Sequence, residues 1–186
     1  MSDYMELAPD MGYRLINHGP VILLSTRDSQ GGYDVAPIAW CSPARKEPPK
    51  LLVVVGRGHK SYQNLIETGE FIVCVPHARQ VELVRRCGRV SGHEVDKFEA
   101  LKMGHFPGKI VDAHVPEGCI GYLECKLFDT LALDKTDIIV GDIVAASARP
   151  DVFTDRLLVE TPAGKTLHHL GGNFFATPGD TILSQS

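Results

Sequence analysis

An antiparallel, mainly β fold with a few short helices is the class this sequence predicts, and three observations predict it. Apolar or alternating runs rich in β-branched residues recur at 21–26, 33–40, 51–55, 71–75, 121–133 and 137–148. Glycine- and aspartate-bearing turns separate several of them. Helical periodicity is confined to three short pieces, 61–68, 79–86 and 95–102.

Each element follows from its neighbours in order. Between the first two strands, Arg27-Asp28-Ser29-Gln30-Gly31-Gly32 has the composition of a hairpin turn. The second strand contains Pro37, which removes a ladder donor and therefore marks an edge or a bulge. The proline-rich stretch 42–49 reads as a loop, the run 51–55 as a strand, and 61–68 as a helix stopped by Gly69. The two long late strands are joined by Asp134-Lys135-Thr136, a second hairpin. No strand–helix–strand alternation dominates, so a doubly wound parallel sheet is disfavoured and the helices read as appendages on an antiparallel barrel. No composition shift marks a boundary within residues 1–186, which predicts a single domain.

A formal charge of -4 disfavours an extended nucleic-acid surface. No basic leader with an apolar core opens the chain, and no run approaches the ~20 apolar residues of a membrane span, so no membrane partner is expected and the expected compartment is the cytoplasm. The five cysteines are widely spaced with no C-x-x-C pair, which argues against a disulfide framework or a zinc site. Cys74 and Cys125 lie in apolar runs and read as inert, buried thiols.

The most pointed local signal is the stretch 56–69. An apolar strand runs into a helix start carrying Arg57, His59, Lys60 and Ser61, where free N–H groups and the positive end of the helix dipole favour an anion. Known phosphate loops do not fit it: a Walker A loop ending at Lys60-Ser61 needs glycine where Val54 and His59 stand, and a dinucleotide fingerprint needs glycine at Ser61. The same residues also fit a solvated basic helix start capped by Ser61. Other motifs fail on counting. His93-Glu94 lacks the second histidine of a zinc protease, Ser91 stands one position late for a nucleophile elbow, and adjacent His168 and His169 diverge too far to chelate one metal. The sequence assigns no role to His93, Lys97, His168 or His169.

The segment 33–43 combines small residues and a proline with the only tryptophan. Ala36 and Ala39 leave room for a planar ring to approach the backbone; a bulged edge strand with Trp40 in the core fits as well.

These segments, taken together and in order, resemble the flavin reductase-like, FMN-binding split-barrel family, which includes flavoredoxin and small NAD(P)H:flavin oxidoreductases. The resemblance rests on Pro20-Val21-Ile22-Leu23-Leu24-Ser25-Thr26 with Asp34-Val35-Ala36-Pro37-Ile38-Ala39-Trp40. It rests also on the 56–70 stretch followed by Phe71-Ile72-Val73-Cys74-Val75-Pro76, and on Gly88-Arg89-Val90-Ser91-Gly92 with Asp96-Lys97-Phe98. Weaker matches follow at 139–144 and 170–176, so it spans roughly 18–176. It implies a homodimeric, six-stranded Greek-key split barrel holding FMN near the subunit interface. Arg57, His59, Lys60 and Ser61 would then meet the FMN phosphate, with Asn64 nearby. The strip Val35, Ala36, Pro37, Ile38, Ala39, Trp40, Cys41 and Ser42 would border the isoalloxazine, Ser91 would shape the pocket, and Trp40 or Phe174 would flank the ring. The implied activity is hydride transfer from NADH or NADPH to FMN, for delivery to a flavin-consuming or electron-accepting protein. A flavoredoxin-like electron carrier and a non-redox phosphate-binding barrel are the alternatives. Cys41, without a partner thiol at C-x-x-C spacing, reads as a pocket-lining or buried thiol and not as a redox centre.

Overall fold

The computed structural model describes Met5 and residues 7–182. After a 3-10 turn at Pro9–Leu15 the chain forms β1 (Ile22–Arg27), β2 (Tyr33–Ile38), β3 (Cys41–Arg45), β4 (Lys50–Gly56), α1 (Lys60–Thr68) and β5 (Glu70–Val75). A second 3-10 turn, Ala78–Gln80, leads into α2 (Val81–Cys87); α3 (Lys97–Ala100), β6 (His105–Pro107) and β7 (His114–Pro116) follow. The long β8 (Gly121–Leu133) and β9 (Thr136–Ala148), then β10 (His168–Gly171) and β11 (Phe174–Ala176), complete the fold.

Seven of these strands make one fully antiparallel sheet in the order β2-β1-β5-β8-β9-β4-β3. Its two edges, β2 and β3, are consecutive in the chain and separated only by Ala39 and Trp40. The sheet therefore curls until its edges are joined through the covalent chain, and a bond from the Val54 N–H to the Trp40 carbonyl (2.9 Å) carries the β3–β4 ladder up to that junction. This is a split barrel. The seventh strand is β3, which the sequence reading took for a loop because of its prolines. Pro43 is tolerated there, as Pro37 is in β2, because both lie on edge strands where a missing N–H leaves no ladder partner stranded.

Strand alternation splits the core in two. Ile22, Leu24, Phe71 and Val73 point into the barrel, where Ile38, Val53, Val55, Leu65 and Ile139 join them. Their neighbours Leu23, Ile72 and Cys74 point outward onto Val84, Cys87, Phe98, Val111 and Val115 from the helices and the small hairpin β6–β7. The outer layer is thus what holds α2 and α3 against β2, and the space between those helices and α1 is where the chemistry-bearing residues gather.

Candidate functional site

The sharp turn Gly56 to His59 between β4 and α1 brings the start of the helix beside β2. His59 occupies the cap position in extended geometry but its side chain accepts no capping hydrogen bond, and Ser61, the second residue of the helix, is fully buried. Among the described residues its hydroxyl has no partner, so the capping role read from sequence is not what Ser61 does. Among the described residues the N–H groups of Lys60 and Ser61 also find no acceptor, as expected for the first turn of a helix. A buried hydroxyl and two N–H groups without acceptors therefore converge at one point.

That point opens into a cleft of about 310 Å³. Gly58, His59, Lys60 and Ser61 form one end; Ala36 and Pro37 of β2 form a wall; the 88–93 segment, including Ser91, forms the opposite wall. The His93 Nε2 lies 3.2 Å from the Gly58 carbonyl and ties that segment to the start of α1. A buried ion pair that the sequence reading did not assign also lines the cleft. The Lys97 Nζ stands 2.9 Å from Asp34 Oδ1 and donates to the Val35 carbonyl at 2.8 Å. Gly92 makes room for it, since a Cβ there would fall 2.2 Å from Asp34 Oδ1. The side chain of Asp96, just before Lys97, caps α3 by accepting from the Phe98 and Glu99 N–H groups.

Several expected contacts lie elsewhere. Arg57 turns away from the cleft: its Nε donates to Asp137 Oδ1 at 2.8 Å, and Tyr62 Oη donates to the other carboxylate oxygen at 2.6 Å. The Tyr62 hydroxyl, and then Arg57, hold the Asp137 carboxyl below its ordinary range. Lys60 lines the cleft, yet its Nζ is engaged with Asp28 Oδ2 at 2.9 Å in the β1–β2 turn. Asn64 is buried and donates to Thr26, behind the cleft wall.

The structure divides the expected strip among several environments. Ala36 and Pro37 face the first cleft, Val35 is buried in the outer core, and Ile38 points into the barrel. Trp40 is half exposed (50%), donates Nε1–H to Asn17 at 2.8 Å and packs edge-on to Tyr13; it lines neither the cleft nor the core. Cys41 and Ser42 belong to a different, apolar cavity with Pro20, Leu51 and Ile143. There burial pushes the Cys41 thiol up to about 11, and its Sγ contacts the Pro20 carbonyl at 3.4 Å. Phe174 is 74% exposed, whereas the next residue, Phe175, turns inward to a second cleft of about 340 Å³ that also takes in Ala39. His168 pairs with Thr166 and the His18 carbonyl, and His169 lines the second cleft. The sequence reading missed Arg89, which lines both clefts, although it lay within the quoted Gly88–Gly92 motif.

Residues 14–174 match the model of the flavin reductase like domain. The chain belongs to the flavin reductase-like family. It is 30% identical to the uncharacterised protein YddH of Escherichia coli K12, over 99% of this chain and 100% of that one. Among solved structures it is similar to the flavoredoxin of Methanosarcina acetivorans (26% identity, 98% and 95% of the two chains, TM-score 0.84). It is similar also to an FMN-binding domain of a flavin reductases-like enzyme from Shewanella baltica (26%, 96% of each chain, TM-score 0.80). Both share the fold along nearly their whole length. Among the described residues no helix is long and apolar enough to cross a membrane, and no cluster of His, Cys, Asp and Glu could hold a metal.

Proposed function

We propose that this flavin reductase-like chain binds FMN in the first cleft and acts as an NAD(P)H:FMN oxidoreductase. The observation that carries the reading is the buried, unpartnered Ser61 hydroxyl at the start of α1, in a cleft whose wall is the small-residue strip Ala36–Pro37. The donor set suits a phosphate monoester. Ser61 Oγ–H and the N–H groups of Lys60 and Ser61 would hold the phosphate, with the helix dipole behind them. His59 and Lys60 add positive charge at that end, and Ala36 leaves space for a flat ring against the strand. The structural relatives named above, one a flavoredoxin and one an FMN-binding domain, support the choice of cofactor. When bound, the flavin supplies the hydride chemistry itself, so the chain's tasks are to bind, orient and exclude water. That division agrees with a cleft that carries no nucleophile and base paired for catalysis.

The active form is proposed to be a homodimer in the cytoplasm. The exposed apolar side chains Phe128, Leu131 and Phe174 favour a partner surface, and five free thiols suit a reducing compartment. A flavoredoxin-like electron carrier is the second reading, favoured by likeness to the Methanosarcina protein. Anaerobic mixing of FMN-loaded protein with NADH and with NADPH decides between them. Bleaching of the flavin band by either nucleotide is expected for the reductase; colour retained with both, but lost with dithionite, would replace it with the carrier.

A further inference from the structure

His105 and His114 line neither cleft and take no part in the function proposed above. The β6–β7 register pairs His105 with Pro116 and His114 with Pro107, so the two histidines are diagonal neighbours on one face of the hairpin. Their imidazoles stack, with centroids 4.2 Å apart and planes 22° from parallel. His114 also stacks on Tyr33 of β2, at 3.7 Å and 17°, while Phe98 of α3 meets His105 and His114 edge-on at 4.8 and 5.5 Å. One imidazole is thus the point at which β2, β6, β7 and α3 meet. The hairpin is a separate two-stranded sheet of three residue pairs, too short to be stable by itself, so its place depends on such side-chain contacts.

The surroundings suit an uncharged pair. His105 Nδ1 lies 3.1 Å from the Met103 carbonyl, which can only accept, so that nitrogen carries the proton and Nε2 of this exposed ring is left to take a second. His114 Nδ1 is buried and has no partner among the described residues. Burial, and then the charge of His105, hold His114 below the ordinary histidine value of 6.5, against the pull of Asp112 and Asp96. Both acids are committed elsewhere. Asp112 accepts from Tyr33 Oη at 3.0 Å and pairs with Arg27 at 3.3 Å, and Asp96 caps α3. Asp34, next to Tyr33, is paired with Lys97, and Glu117 at the open end of the hairpin lies over Gly104. In the outer core the thiols of Cys74 and Cys87 are pushed up by burial and stay uncharged. Glu124, held below its ordinary range, keeps its grip on the 109–111 backbone in mild acid.

We propose that His105 and His114 form an acid-operated latch: as neutral stacked rings they clamp the β6–β7 hairpin to Tyr33 and Phe98, and protonation releases it. Tyr33 precedes Asp34 and Phe98 follows Lys97, so the latch grips β2 and α3 beside the ion pair that lines the first cleft. It rests on its own contacts and stands whatever the cleft binds. Folded His114 takes its proton less readily than the unfolded ring. The clamp therefore stabilises above the ordinary value of 6.5, and that stabilisation is lost as pH falls from there through the lower folded value. At about pH 5.5, one unit below the ordinary value, an opening that frees His114 is favoured by up to about tenfold.

Amide hydrogen exchange of the full chain at about pH 7.5 and about pH 5.5, corrected for the pH dependence of intrinsic exchange, tests it. Protection at 105–107, 114–116 and 100–103 is expected to fall several-fold, up to about tenfold, at the lower pH, while the β8–β9 ladder keeps its protection. His114→Phe keeps a ring in the stack that cannot take a proton, and should show the same protection at both pH values. His105→Gln, at an exposed position, should fold as wild type does and lose at least half of the acid response, because the second charge is gone. Wild-type protection that does not change with pH, or an acid loss of the same size in His114→Phe, would overturn the latch. Should His114→Phe fail to fold, an undiminished acid loss in His105→Gln would overturn it.

Discussion

Ser61 and Arg57 show how differently two polar residues four positions apart behave. Removing the Ser61 hydroxyl deletes no bond among the described residues, so Ser61→Ala should leave the thermal midpoint nearly unchanged. It should weaken FMN by roughly tenfold to a hundredfold, the value of about 1.5–3 kcal/mol for a hydrogen bond to a charged group. Fluorescence titration with FMN and riboflavin checks this: riboflavin, without the phosphate, should bind wild type and variant alike. Arg57→Ala is expected to leave FMN affinity unchanged, since the guanidinium faces Asp137 and not the cleft. Sequence counted Arg57 among the donors because it displays charge and not partners; Asp137 lies 80 residues away in the chain. Cys41→Ser should likewise bind and reduce FMN as wild type does, with flavin content and anaerobic reduction rate as the measurements. A thiol raised to about 11 stays protonated at neutral pH, and its cavity is lined by none of the first cleft's residues.

Among the elements, two buried charged groups set the positions of the pieces around the cleft. Lys97 joins α3 to β2 through Asp34 and the Val35 carbonyl. Lys97→Met would strand a carboxylate with almost no solvent contact, which costs about 3–5 kcal/mol for a broken buried pair, while adding Asp34→Asn should recover part of the loss. Chemical denaturation of the two variants reads both numbers. Glu124 on β8 does the same for the segment leading to β7, accepting from the N–H groups of Lys109, Ile110 and Val111 at 3.1, 2.7 and 2.8 Å. Desolvation raises its pKa, but the three backbone donors outweigh it and hold the carboxyl below its ordinary range. The folded state thus binds this proton less readily than the unfolded chain. The stabilisation is present above the usual carboxylate pKa near 4.5 and is lost as pH falls through the lower folded value. Glu124→Gln, with one acceptor oxygen for three donors, should lose roughly 1–3 kcal/mol and flatten that acid limb in pH-dependent melts.

On the scale of the whole molecule, the barrel is rich in thiols that cannot ionise in place. Burial pushes Cys41 and Cys87 up to about 11 and Cys125 up to about 12, from an ordinary value of 9.0. Between these values the unfolded chain releases protons that the folded chain keeps. Stability therefore falls as pH rises above about 9, and thermal midpoints measured from pH 8 to 11 should decline more steeply in wild type than in Cys125→Ala. The proposed homodimer is a further whole-molecule expectation. Light scattering at micromolar concentration should give twice the chain mass, and a monomer that still holds FMN would remove the partner from the site.

The sequence by itself determined the strands that alternate or run apolar over many residues, the two hairpin turns and the helix beginning near Lys60, because period and turn chemistry are local. Family membership was legible for the same reason, through short motifs kept in order. Tertiary structure alone decided which members of those motifs meet. It made 41–45 a strand despite Pro43, because the position is an edge and an edge does not use the missing donor. It turned Phe175 inward in place of Phe174, where a bulge in the β10–β11 pairing shifts the register. It placed Asp137 on Arg57 and Asp34 on Lys97, and through the curling of one sheet until β2 met β3 it set Pro37, Gly88 and Arg89 between two clefts. Such pairings join residues tens of positions apart, and a charge or ring in the sequence carries no record of which distant partner the closed barrel will bring to it.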